Sequence, residues 1–71
     1  MDLVRLLGVN VRRERLRQGL TQDALAVEAG MTRSYLSDLE RGTRNPSVNA
    51  LGLLARALKV RASDLLCEPP N

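Results

Sequence analysis

Between Thr21 and Gly42 the residues that start and stop helices are spaced so tightly that only two short helices fit. Thr21 precedes the first, and its hydroxyl can accept from the free backbone N–H groups of an opening turn. Leu25, Ala26 and Ala29 recur at helical spacing and make a narrow apolar stripe. The two alanines are small enough to let another helix approach closely. Gly30 ends this helix, because glycine accepts the left-handed conformation of a C-terminal cap. Met31 is the apolar plug of the turn, and Thr32 is a second N-cap. The following helix runs from about Arg33 to Arg41 before Gly42 stops it.

The second helix has two faces. At about 100° per residue, Arg33, Ser34, Ser37, Asp38 and Arg41 fall on one side, and Tyr35, Leu36 and Leu39 on the other. The apolar side has to pack on the rest of the domain, so the polar side is turned to solvent or to a ligand. Two capped helices about a tight turn, the second polar outward, suit a helix-turn-helix that offers this helix to a DNA major groove. An ordinary solvated face is the plain alternative for any one charged helix; the paired caps and the Gly30 turn favour the groove. Arg33, near the N-terminal end, can donate two hydrogen bonds to guanine O6 and N7. Ser34, Ser37 and Asp38 complete the candidate base-reading set. A carboxylate facing phosphate is repelled, so Asp38 has either to accept from cytosine N4 or to position an arginine.

The run from Gly19 to Pro46, GLTQDALAVEAGMTRSYLSDLERGTRNP, resembles the Cro/cI-type (XRE) helix-turn-helix family of bacterial and phage regulators. The family pattern is roughly Gly-Leu-Thr-Gln, Leu-Ala, Gly, Ser-Tyr-Ile-Ser, Glu-Arg-Gly and Asn-Pro, and the chain matches nearly all of it, with Leu36 for the usual isoleucine. The segment RSYLSDLERGTRN is also similar to the controller proteins of restriction–modification systems. The resemblance implies an all-α, compact five-helix phage-repressor-like domain over residues 1–66, with a short tail at 67–71. It implies a sequence-specific regulator of transcription, acting as a homodimer on a pseudo-palindromic site in double-stranded DNA. Such a protein would block or recruit RNA polymerase. Thr21, Gln22, Thr32, Tyr35, Arg41, Arg44 and Asn45 are the candidate phosphate contacts. The family commonly pairs an arginine at the position of Arg15 with a glutamate at that of Glu40, tying the first helix to the recognition helix. Its dimer contact often lies in the fourth and fifth helices, which here nominates Leu58, Val60, Leu65 and Leu66.

The remaining chain supplies scaffold. Leu3 to Gln18 reads as a first helix with Leu7 and Val11 on its buried face, and Arg12, Arg13, Arg15 and Arg17 crowd its second half, where they suit the helix dipole. Pro46 keeps Asn45 out of a helical conformation. Ser47 then caps a fourth helix with Val48, Leu51, Leu54, Ala55 and Leu58 on one face. A last short helix is expected over Ser63–Leu66. Arg61 stands where the family often has a capping serine, and the tail from Glu68 cannot continue a helix.

Seventy-one residues, 44% of them apolar, are enough for one small core. With Phe and Trp absent and Tyr35 the lone aromatic, that core has to be aliphatic. Ten arginines and one lysine against eight acids leave a net charge of +3, which suits a polyanionic partner. Arginine's planar fork binds phosphate and base edges bidentately. Neither a transmembrane-length apolar run nor a signal-peptide pattern is present, so the expectation is a soluble, cytoplasmic protein without a membrane partner.

Catalysis finds no support. Histidine is absent, the single Cys67 makes neither a disulfide nor a four-ligand zinc site, and no phosphate-cradling glycine loop or carboxylate pair stands out. The expectation is a binding protein, not an enzyme, with no cofactor and no metal. Two alternatives share the fold: an antitoxin that chiefly masks a toxin, and a protein-interaction module with no salt-sensitive affinity for DNA.

Overall fold

A computed structural model describes residues 2–68, and among them the chain is all helical. Four α-helices, α1 (Leu3–Arg17), α2 (Gln22–Ala29), α3 (Arg33–Glu40) and α4 (Val48–Leu58), precede a single 3-10 turn at Ala62–Leu66. The five helices expected are thus four α-helices and one short 3-10 helix, the last starting at Ala62. With Arg61 at its N-cap, the last segment takes its cap from within, the Arg61 N–H donating to the Asp64 carboxylate at 3.0 Å. Pro69, Pro70 and Asn71, most of the expected tail, lie outside the described residues.

The caps are local and strong. The Thr21, Thr32 and Ser47 hydroxyls accept from the N–H groups of Ala24, Tyr35 and Ala50 at 3.0, 3.1 and 3.0 Å. Asp2 does the same for α1, accepting from Arg5 at 2.9 Å. Gly30 sits at φ 69°, and its N–H closes the end of α2. Lys59 takes the equivalent left-handed position after α4, at φ 60°, without the freedom of a glycine.

Leu7, Val11, Leu25, Ala26, Ala29, Leu36, Leu39, Leu54, Ala55, Leu58 and Leu65 form one aliphatic core that draws on every helix and the 3-10 turn. Three details of this packing differ from the expectations. Val48, expected on the buried face of α4, is 86% exposed as the first residue of that helix, whereas Ala50 in the same turn is buried. Leu58 and Leu65, expected at a dimer contact, are 0% and 2% exposed within a single chain. They close the core and offer no surface to a second copy; Val60 and Leu66 are half-buried at its edge.

Two further contacts fix the position of α1. Gly8 lies where α1 crosses the end of α3, and a Cβ there would stand 2.5 Å from the Leu39 carbonyl oxygen and 3.0 Å from that of Glu40. Only a glycine lets the two backbones meet this closely. Asn10 is buried and its Nδ2 donates to the Leu65 and Cys67 carbonyls at 2.9 and 2.7 Å, pinning the 3-10 turn to α1. Its Oδ1 has no hydrogen-bond partner among the described residues. Among those residues no helix is long and apolar enough to cross a membrane.

Candidate nucleic-acid interface

The core decides which way α3 faces. Leu36 and Leu39 are sealed beneath it, which turns Arg33 and Ser34 outward, fully exposed, with Ser37 and Asp38 half-buried on the same side. The helix ends at Glu40, one residue earlier than expected, and Arg41 is its C-cap. All four candidate base-reading residues thus share one open face, reached from solvent without moving the backbone.

Arg33 is not idle there. Its Nε lies 3.7 Å from an Asp23 carboxylate oxygen on α2, an exposed pair that water screens strongly. Ser34 and Ser37 keep their hydroxyls free of side-chain hydrogen bonds among the described residues, so both can donate to or accept from a base edge.

Asp38 is the hub of the loop that follows. Its carboxylate takes a short hydrogen bond from Arg41, and Nη2 of Arg44 lies 3.8 Å from its other oxygen. Its carbonyl oxygen accepts from the Thr43 N–H at 3.0 Å and from the Thr43 hydroxyl at 3.1 Å. The Arg44 guanidinium stands 4.7 Å from the centre of the Tyr35 ring, within the range of a cation–π contact. Tyr35, Asp38, Arg41 and Arg44 are thereby one cluster at the end of α3. Asn45 is exposed beside it.

The N-terminus of α2 is held to the same helix from the other side. Arg15 donates from Nε and Nη2 to the two Glu40 carboxylate oxygens at 2.7 and 3.0 Å, and from Nη1 to the Leu20 carbonyl at 2.8 Å. The Gln22 amide donates to the same Glu40 at 3.1 Å. The two ionic side chains are only 9% and 3% exposed. Hydrogen bonding to Glu40 raises the Arg15 pKa above its already high value, outweighing the opposing effect of burial. The Arg15–Glu40 pair thus ties together α1, the loop before α2, the first residue of α2 and the end of α3.

Of the candidate phosphate contacts, Thr21 and Thr32 use their oxygens as caps, yet each hydroxyl proton remains available to an anion. Gln22 gives one amide proton to Glu40, which leaves its second amide proton and its backbone N–H, at the positive end of α2, free for a phosphate. Sequence reasoning missed two residues that place this surface, Gly8 and Asp23. A glycine inside a helical stretch is the signal that marks the first; nothing in the sequence pairs Asp23 with Arg33.

The helix-turn-helix family model described as HTH_3 matches residues 11–65, which include all of this geometry. The chain is 46% identical over 66 residues to an HTH-type transcriptional regulator, y4dJ, of Sinorhizobium fredii, covering 93% of this chain and 86% of that protein. It is 45% identical over 62 residues to the control protein C.BamHI of Bacillus amyloliquefaciens, covering 86% and 76% respectively. Among solved structures, the restriction-modification controller protein C.AhdI from Aeromonas hydrophila superposes with a TM-score of 0.85 at 37% identity, over 87% of this chain and 94% of that one.

Proposed function

This chain belongs to the HTH_3 (XRE-type) helix-turn-helix family, and from that premise we propose that it regulates transcription as a homodimer on a pseudo-palindromic DNA site. The observation that carries the reading is the outward face of α3. Arg33 and Ser34 stand exposed at its start, Ser37 and Asp38 follow, and Arg41 and Arg44 flank its end, while its inner leucines are sealed in the core. Laid in a major groove, this helix sets Arg33 against a base edge and brings the loop arginines and the N-terminus of α2 to the phosphates on either side.

One such helix reads too few base pairs to address a site in a genome, and a two-fold dimer doubles the readout at half-sites about 34 Å apart. The surface that supports a second copy is the outward side of α4. Val48 and Leu53, the latter 44% exposed, flank Gly52 there, with Asn49 and Arg56 beside them. Nothing stands within 4 Å of a Cβ added at Gly52, so that stretch of helix is open to close approach. Val60 and Leu66 remain as half-buried candidates at the edge; Leu58 and Leu65 do not. Similarity to two controller proteins of restriction–modification systems supports the control of such an operon, by blocking or recruiting RNA polymerase in the cytoplasm.

The test is selection from a random 30-base-pair duplex pool followed by titration at several salt concentrations. Enrichment of an inverted repeat, and an affinity whose log–log salt slope reflects about −0.9 per phosphate neutralised, is the expected result. Binding that ignores salt would exclude the regulator and leave the interaction module; enrichment of a single unrepeated half-site would exclude the dimer.

A further inference from the structure

The free protein already holds a bound anion at the end of α3, and that anion is its own. The Asp38 carboxylate sits between Arg41 and Arg44, the two cations next to the outward face. The Arg41 side chain is 66% exposed and that of Arg44 47%, against 33% for Asp38, and both arginines are long enough to swing to a phosphate while the short carboxylate stays with its helix. The Asp38 backbone is fixed as well, inside α3 and through the two hydrogen bonds from Thr43.

We propose that Asp38 is a specificity-determining positioning residue, which holds Arg41 and Arg44 in the free protein and restrains their transfer to phosphate. The inference rests on α3 as the recognition helix. On any duplex the arginines exchange a carboxylate for a phosphate, and the abandoned carboxylate faces a polyanion. That penalty is the same for every sequence. It is lifted only where the groove opposite Asp38 presents an amino donor, cytosine N4 or adenine N6, to replace the arginines. A neutral side chain at this position removes the penalty everywhere and the discrimination with it. The Asp38 carboxylate also holds the Arg44 guanidinium over the Tyr35 ring, 4.7 Å from its centre, so on this proposal its loss frees Arg44 from that contact.

Asp38→Asn keeps the shape and removes the charge. Its affinity is compared with that of the wild type on two probes: the duplex that the wild type enriches from the random pool, and a duplex of the same length and composition with that sequence shuffled. The expected result is tighter binding to the shuffled duplex, a salt slope there steeper by about 0.9, and little or no gain on the enriched duplex. The ratio of the two affinities then falls on the order of tenfold, the low end of what one base-edge contact discriminates. An equal gain on both probes, no change on either, or a loss on both would each overturn the proposal. A measurement without DNA separates this from failure of the regulator reading. In the wild type the Arg44 δ protons should show the upfield NMR shift of a side chain over an aromatic face. Asp38→Asn should lose most of it with the helical CD unchanged. If the wild type enriches no sequence, the regulator reading fails and the specificity role with it, while the shift still reports whether Asp38 holds Arg44; an unchanged shift beside normal enrichment counts against Asp38 alone.

Discussion

Removing the Glu40 carboxylate should unfold this domain more readily than any other single change in the helix-turn-helix surface. Four hydrogen bonds meet in the Arg15–Glu40–Gln22 group, from Arg15 Nε, Nη1 and Nη2 and from the Gln22 amide. Glu40→Ala breaks three of them and leaves a guanidinium, 9% exposed, with only the Leu20 carbonyl. Breaking a buried ion pair by deleting one partner costs about 3–5 kcal/mol, because the surviving charge has lost both water and partner. A domain of this length has a total stability of about 4–10 kcal/mol. The single change therefore uses up about a third or more of what holds the fold, and at roughly 4–8 °C per kcal/mol it should lower Tm by about 12–40 °C.

The double-mutant cycle supplies the decisive measurement. Arg15→Met and Glu40→Leu, alone and together, would be unfolded in urea and followed by far-UV CD, with the slope of stability against urea checked for constancy. Each single variant buries an unpaired charge, and the double variant buries none. The double change should thus destabilise by less than the two singles summed, with a coupling of about 1.5–3 kcal/mol. It should still weaken DNA binding, since Gln22 and the start of α2 lose their anchor on α3. Singles that add to within about 0.5 kcal/mol would show that the bidentate geometry contributes no coupling, and the argument from burial would fail.

Gly8→Ala should destabilise by about 1–3 kcal/mol, the range for forcing extra volume into a tight contact, because its methyl group meets the Leu39 carbonyl rather than a yielding side chain; urea unfolding measures it, and a neutral result would deny the close crossing of α1 and α3. Lys59→Gly should raise stability by up to about 1 kcal/mol, relieving a left-handed position that a side chain disfavours, and a lower Tm would refute that reading. Arg17 holds the Glu14 carboxylate below its usual pKa by hydrogen bonding, so the pair contributes above the unfolded carboxylate range and its contribution disappears as pH falls through the depressed value. Glu14→Gln should accordingly flatten the acid limb of a Tm–pH profile without altering the plateau shape near neutrality, the effect being small because Arg17 is exposed. Leu53→Asp should shift sedimentation from dimer to monomer with helical CD intact, whereas Leu65→Asp should unfold the chain; the reverse pattern would move the interface back to the 3-10 turn.

Features written within a few residues of one another were legible in the sequence. Three caps, the Gly30 stop and the faces of α3 follow from short-range geometry, and residue type announces each of them. Features that need a partner from far along the chain were not. Val48 follows its cap at a core-like phase of α4, but nothing local says that no other helix covers this first position. Leu58 and Leu65 look like spare leucines until α1, α2 and α4 are seen to close over them. Asn10 reads as an unremarkable polar residue in a helix, yet it holds carbonyls 55 and 57 positions away. Asp38 lies between these extremes. Its like-charge conflict with phosphate was evident from the sequence, and left two outcomes, a base partner or an arginine. The free structure supplies the arginines, two of them, within reach along the same helix end. A carboxylate kept at the centre of a cationic surface lowers affinity for every duplex alike. On the proposed role of Asp38, it benefits the protein only where some sequence answers it, which would make selectivity, more than affinity, the product of this face.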